Sequence, residues 1–510
     1  MAEPIQSLTQ FHSQGTEASP PSLDDMIEQS LGNFGWTQIL QSLLVSMAMF
    51  FDAQQSFITI YTDAHPRWHC TTSNLTSCSS DSDICKLPRS SWAWDEISSK
   101  TIISQWSLEC ASSFITGLPQ SSFFVGCFLA GFLLAAFADS SLGRKNMLFL
   151  SCLTMSIASS ITVFSTSIWV YSAFKFLIGF CRSSIGACSL VLLTEKVRKE
   201  WRFRVAVLMY IWFTLGFLSL PGIAYVNRDS SWKSLYLWTS IPGIFYCIIA
   251  YIFVTESPRW LLMQGREKEA MAILKGIATT LAKGGGTSTS RLIKLPAKKS
   301  ASTINFYSSI NELFVTSWAL KRLLAVMVLG FGIGMVYFGI PLNVGNLGFN
   351  IYLSVVFNAL QEIPAFIATY FLDNCRRKPS ILGFSVACGI CCLICAVIGN
   401  ELQIVKLCLA LVSFFSVCSA FNVLLIYVIE LFPTSVRNTT SSMARQAIVF
   451  GDIFSPFFIS EGRKNDLFSY GIFGVTILSS AFSVLFLTET KGISLCDTME
   501  QQERKESITV

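Results

Sequence analysis

From residue 39 onward the chain is written as long apolar runs separated by short polar breaks. A helix needs about 20 mostly apolar residues to cross a bilayer. Twelve runs qualify: 39–61, 117–137, 147–167, 169–193, 205–226, 235–255, 323–343, 351–372, 381–399, 404–428, 440–459 and 468–488. Only Ser165, Thr166 and Ser167 part the third run from the fourth. Gly and Pro fall inside several runs, which membrane helices tolerate where neighbours re-satisfy the freed backbone. Residues 1–38 carry no Lys or Arg and are rich in Ser, Gln and Pro. They lack the basic start and short apolar core of a cleaved signal peptide and predict a flexible cytosolic tail. Residues 490–510 predict a cytosolic C-terminal tail.

The polar breaks repeat. Asp139 closes the second run and Gly143-Arg144-Lys145 follows; Asp373 closes the eighth and Arg376-Arg377-Lys378 follows. Glu195 and Arg202 come after the fourth run, Glu430 and Arg437 after the tenth. Thr255-Glu256 ends the sixth, with Arg259 beyond, and Thr488-Glu489 ends the twelfth. All three offsets are close to 234 residues. The predicted fold is therefore all-α: a polytopic membrane protein of twelve helices in two six-helix repeats, 39–255 and 323–489, joined by a basic linker, 256–322. Such parallel halves are the layout of rocker transporters, with the substrate site near mid-membrane between them. A charge at a helix end beside lipid is costly unless paired. These charges are expected to pair across loops, either fixing the loops or latching one mouth of the bundle.

Composition agrees. The chain of 510 residues is 52% hydrophobic and 14% charged, where soluble domains carry about 25% charged residues. With an even number of spans, both termini share a side. Arg144, Lys145, Lys196, Arg198, Lys199, Arg202, Arg204, the linker, Arg376, Arg377, Lys378 and Arg437 fall on that side, which the positive-inside rule makes cytosolic. Plasma and vacuolar membranes would give the same asymmetry. The opposite side holds the long loop 62–116, with Cys70, Cys78, Cys85 and Cys110. Four cysteines allow three pairings. An oxidising face predicts two disulfides, bracing a loop too poor in apolar residues to hold itself. Asn74-Leu75-Thr76 on this loop is a glycosylation sequon; Asn438-Thr439-Thr440 falls on the cytosolic side and is expected to be silent. The three histidines, His12, His65 and His69, lie outside the apolar runs. No metal and no cofactor are expected, and the CGICC stretch at 388–392 reads as small residues at a helix contact.

Charges inside the runs are few: Asp52, Lys175, Arg182, Glu362, Arg445 and Asp452. Each is a functional candidate by default. A cationic headgroup needs a carboxylate and an aromatic wall. Asp52, Glu362 and Asp452 can supply the first; Tyr210, Trp212, Tyr337 and Phe338 the second. Arg182 or Arg445 can hold a carboxylate through paired hydrogen bonds. The plainer alternative is internal salt bridging among these groups. Glu362, directly before Ile363-Pro364, also suits a structural role.

Several stretches resemble a known family: VTESPRWLL (254–262), YFGIPLNVGNLGFNIYL (337–353), QEIPAF (361–366), ELFPTSVRN (430–438) and TETKGISLCDT (488–498). From about residue 36 to about 498 the chain is similar to the major facilitator superfamily, and within it to the organic cation/anion/carnitine transporter family. FFDAQQSF (50–57) and FADSSLGRK (137–145) look most like its plant organic cation/carnitine branch. AFN (420–422) resembles the carnitine-type members, which brings in Asn422. Sugar porters share ESPRW and ELFPT, but the seventh run lacks QQ-x-S-G and the 62–116 loop is longer than theirs. Two departures from the family stand out. The second break has one extra residue and no Arg after Asp139; and Val449 occupies the place of an Asp found in animal cation transporters, with Asp452 one turn on. The resemblance also carries a nucleotide-binding stretch onto Gly179–Gly186. Physically that stretch sits in a membrane helix without the Gly-Lys-Ser ending of a phosphate loop, and reads as close helix packing.

The resemblance implies a secondary transporter of organic cations or zwitterions such as carnitine, working by alternating access and driven by a proton or sodium gradient. Its partners would be that substrate and the bilayer, with no nucleic acid and no obligatory protein partner. Organic anion or sugar transport on the same fold is the alternative, and a transport-dead membrane receptor a third. No nucleophile–base or metal cluster supports an enzyme.

Overall fold

The computed structural model describes residues 35–71, 78, 84–138, 142–279, 306–343, 345, 349–372, 375–398, 402–462, 466–492, 496 and 498–509. The first six apolar runs form α1 (Trp36–Thr62), α2 (Ser113–Ala138), α3 (Arg144–Thr162), α4 (Ile168–Glu195), α5 (Lys199–Val226) and α6 (Trp232–Phe253). The last six form α7 (Ser317–Asn343), α8 (Ile351–Phe371), α9 (Arg377–Val397) and α10 (Gln403–Leu431). Then come α11, in two pieces (Arg437–Asp452 and Ser455–Gly462), and α12 (Asp466–Ala481), which tightens into a 3-10 stretch at Phe482–Phe486. Three short helices, Pro258–Met263, Glu267–Thr279 and Phe306–Val315, belong to the linker.

Ten of the twelve are long and apolar enough to cross a membrane; α3 and α11 fall short. Three polar groups of α3 are spent on neighbouring helices. Ser159 donates to Gln55 at 2.8 Å, Ser160 to Ser240 at 2.9 Å, and Ser151 lies 2.6 Å from Ser184. Such pairing lets a helix of modest hydropathy sit inside a bundle. In α11 the polar residues Ser442, Arg445 and Gln446 face a cavity instead.

The packing repeats with the sequence. In the first half α1 packs on α5, α2 on α4 and α3 on α6; in the second, α7 packs on α11, α8 on α10 and α9 on α12. The halves meet through α2 against α11 and α5 against α8. Each half has a buried apolar core, and Phe338, Val355 and Ala359 of α7 and α8 join that of the first half.

The 62–116 loop is better held than its composition predicts. A two-stranded antiparallel sheet pairs β1 (Trp68–Cys70) with β2 (Trp92–Trp94), placing Trp68 opposite Trp94. Cys70 bonds to Cys78 and Cys85 to Cys110. Ile102 and Ile103 are fully buried against Tyr171, Trp232 and Tyr236 of the bundle. The loop's aliphatics are few, but the helix ends beneath offer them a core. Asn74 lies outside the described residues.

Candidate functional site

The repeated charges gather at the end of the bundle opposite the disulfide loop. Glu489 accepts the backbone N–H groups of Arg377 at 3.0 Å and Lys378 at 3.2 Å, capping α9. Glu256 accepts the N–H of Lys145 at 3.1 Å near the start of α3. A carboxylate suits a helix N-terminus because free N–H groups and the helix dipole converge there. Burial opposes the charge of Glu489, but the N–H groups of Lys491, Arg377, Lys378 and Thr490 outweigh it and hold this carboxyl below its ordinary range.

Glu430 does not take the partner its spacing suggests. Its carboxylate pairs with Arg377 at 3.0 Å and accepts the Thr490 hydroxyl at 2.7 Å. Arg437 begins α11 beyond the break at Pro433, whereas α9 packs directly on α10 and brings Arg377 to the end of it. Among the described residues the Nε and Nη2 atoms of Arg437, and Oε2 of Glu195, have no hydrogen-bond partner. Arg144 is buried at the start of α3, the position that Arg377 holds in α9. Arg202 and Arg259 are half-buried near this end. Asp139 and Asp373 lie outside the described residues.

At mid-bundle a cavity of about 310 Å³ opens between the halves. Asp52, Arg182, Tyr210, Tyr337, Phe338, Glu362, Asn422, Arg445 and Asp452 all line it. Trp212 does not; it packs edge-on against Phe50 at 6.1 Å. Tyr210 and Trp212 are two apart on a helix, so they point to nearly opposite faces.

The three acids have different fates. Asp52 is bound bidentately by Arg182, at 2.7 Å from Nε and 2.8 Å from Nη2. Glu362 is 2% exposed and meets no base among the described residues; it accepts hydroxyls from Thr214 at 2.7 Å and Tyr337 at 3.1 Å. Asp452 is 1% exposed, and its Oδ1 has no hydrogen-bond partner among the described residues. Arg445 is exposed in the cavity.

The walls are aromatic. Tyr337 stacks on Phe421 at 5.0 Å, and Tyr210 lies 4.7 Å from Phe366. Sequence reasoning missed Thr214, Phe366 and Phe421. Phe366 was within reach, lying four residues and one helical turn from Glu362, and so was Thr214, four residues from Tyr210; Phe421 carries no such signal. Phe338 belongs chiefly to a barrier. It stacks on Phe57 at 5.4 Å and meets Phe124 edge-on at 5.0 Å, while Phe57 stacks on Phe217 at 3.9 Å. Tyr61 on Tyr352, at 5.8 Å, adds a second layer across the halves. Beyond lies an outer cavity of about 660 Å³ under the disulfide loop.

Glycine at 179 answers to helix packing, while the Cβ position at Gly186 meets only the Met49 side chain, at 3.9 Å. A Cβ on Gly179 would sit 1.9 Å from the carbonyl oxygen of Phe123, so α4 and α2 touch backbone to backbone there. Gly179→Val is expected to separate these helices and cost about 3 kcal/mol or more. Thermal unfolding of the purified variant checks this, and an unchanged Tm would contradict it.

Two six-helix repeats closed around a mid-bundle cavity with buried acids define a multi-pass membrane transporter of the major facilitator fold. The family model described as "Sugar (and other) transporter" matches residues 40–501. Organic cation/carnitine transporters 3 and 2 of Arabidopsis thaliana are each 50% identical to the chain; the matches cover 98% and 99% of it and 97% and 98% of those proteins. Solute carrier family 22 member 21 of Mus musculus is 31% identical over 81% of the chain and 73% of its own length. The partially occluded inward-open structure of the xylose transporter XylE from E. coli superposes with a TM-score of 0.65 at 16% identity, covering 90% of this chain and 99% of that one. The chain belongs to the sugar (and other) transporter family of the major facilitator superfamily, among its organic cation/carnitine transporters.

Proposed function

We propose that the chain is a secondary transporter of small organic cations and zwitterions, carnitine among them. It would work by alternating access, coupled to a proton or sodium gradient. The observation that carries this reading is Glu362, a buried carboxylate in an aromatic cavity whose hydrogen-bond partners among the described residues are two hydroxyls. A carboxylate in that setting gains most from a soft, poorly hydrated cation, and the faces of Tyr337, Phe421 and Phe366 suit a quaternary ammonium. Arg445, exposed in the same cavity, complements the carboxylate of a zwitterion. The names of the Arabidopsis relatives support the same substrate class. Both termini are assigned to the cytosol from the distribution of Lys and Arg, in a plasma or vacuolar membrane. The charge clusters around Glu256 and Glu489 would then sit at the cytosolic mouth, where they could latch it.

The test is uptake of labelled carnitine and tetraethylammonium into liposomes holding the purified protein, with pH and sodium gradients imposed in turn. Accumulation of either under one gradient is the expected result. Uptake of neither under any gradient would sink the proposal and bring organic anions and sugars forward.

A further inference from the structure

Seven residues before Arg182, on the same face of α4 and nearer the disulfide loop, stands Lys175. Its side chain is fully buried, and its Nζ has no hydrogen-bond partner among the described residues. The Nζ lies 5.1 Å from the ring of Phe123 and 5.8 Å from that of Tyr236. The Arg182 guanidinium lies 5.4 Å from the same Phe123 ring. Two basic groups thus share one phenyl ring, Arg182 lining the central cavity and Lys175 fully buried outside its lining.

On the outer side is Asp63, buried at the floor of the outer cavity. It accepts the hydroxyls of Thr62 at 2.8 Å and Tyr171 at 2.9 Å, and the Tyr171 oxygen lies 2.8 Å from that of Tyr236. Among the described residues, Asp63 just past α1, Cys127 on α2 and Arg182 on α4 act electrostatically on Lys175, and Tyr236 of α6 beside it joins it through the Tyr171 hydroxyl to Asp63. An ammonium there holds three donors without an acceptor, a heavy cost in a site closed to water. An amine costs far less and offers a lone pair. The hydroxyls around Asp63 donate to it, whereas a metal cation needs lone pairs turned toward it.

We propose that Asp63 and Lys175 form the coupling site of this transporter, and that the coupling ion is a proton. One proton leaves water in the outer cavity for the Asp63 carboxylate. It then passes to the Lys175 amine, which becomes an ammonium as Asp63 returns to carboxylate. The proton is released when the halves rock and the site meets the other solution. Glu362 and the aromatic walls hold the substrate; Asp63 and Lys175 hold the proton. This rests on the transport reading above and narrows its coupling ion.

The experiment uses the full chain in liposomes with tetraethylammonium and carnitine as probes. Cation–cation exchange is measured at equal pH, and accumulation under an acid-outside gradient, with external pH followed by a dye. A one-unit gradient supports up to about tenfold accumulation for one proton per cycle. The unaltered protein is expected to exchange, accumulate and take up protons. Lys175→Met should exchange but neither accumulate nor take up protons. Lys175→Arg should behave like Lys175→Met, because a guanidinium keeps its proton; a merely structural positive charge would be rescued by it. Should Lys175→Met fail to fold, Lys175→Arg decides alone. Proton-driven accumulation by Lys175→Arg, or accumulation by the unaltered protein under sodium at fixed pH, would overturn the proposal. Exchange without proton drive in the unaltered protein defeats this inference alone. Absence of exchange of both probes defeats the transport reading and this inference with it.

Discussion

Glu362→Gln is expected to cut the uptake of organic cations by about 30-fold or more, with little change in the amount of folded protein. Glutamine keeps the shape; its carbonyl oxygen accepts one of the two hydroxyls, Thr214 at 2.7 Å and Tyr337 at 3.1 Å, that now donate to separate carboxylate oxygens, and its NH2 donates to the oxygen of the other. What is lost is the charge. Removing one partner of a buried, desolvated charge contact costs about 2–5 kcal/mol; the lower bound alone is about 30-fold in affinity. The loss should appear in KM first, since it removes attraction for the bound cation. Initial rates of tetraethylammonium uptake across a concentration series, normalised to protein in the membrane, are the measurement. An unchanged KM would move cation recognition away from Glu362, with Asp452 the next acid on the cavity wall.

The second large effect concerns Asp52, and it should be an effect on the fold. Both carboxylate oxygens of Asp52 are taken by Arg182, at 2.7 and 2.8 Å, in a site where Asp52 is 2% exposed. Asp52→Asn leaves the guanidinium buried without its counter-charge. Breaking a buried pair costs about 3–5 kcal/mol. The lower figure applies here, because the Arg182 side chain retains 17% exposure to the cavity. Arg182→Met should cost a similar amount. Asp52→Asn combined with Arg182→Met removes both charges and should recover most of the lost stability. Thermal unfolding of the four purified proteins completes the cycle. Additive losses in the double variant would mean that the two residues stabilise the bundle independently.

These predictions separate residues that look alike in the sequence. Asp52, Glu362 and Asp452 are all single acids within apolar runs, and the pattern gives no ground for ranking them. Asp52 and Arg182 are 130 positions apart, and only the packing of the first half brings them together. The same holds for Lys175, a charge in an apolar run whose fully enclosed place between Phe123 and Tyr236 depends on where α2 and α6 run. Glu430 shows the opposite hazard. Its spacing to Arg437 is conspicuous along the chain, but the turn at Pro433 sends Arg437 into a new helix while Arg377 arrives from the neighbouring one.

By itself the sequence determined what depends on local composition and repetition. Hydropathy is a property of each run, so the spans could be counted, although α3 and α11 are too polar to count by that measure alone. Repetition is visible as spacing, so the two six-helix halves were legible from Asp139, Glu195 and Glu256 against Asp373, Glu430 and Glu489. The aromatic barrier of Phe57, Phe124 and Phe338, the unpaired state of Glu362 and the pairing of Asp52 were decided by tertiary structure. The physical reason is the same in each case. Whether a buried charge is neutralised, or a ring stacks or lines a cavity, depends on atoms within a few ångströms. In a twelve-helix bundle most of those atoms come from helices distant in chain order, as Thr214 of α5 does for Glu362 of α8 and Arg182 of α4 for Asp52 of α1.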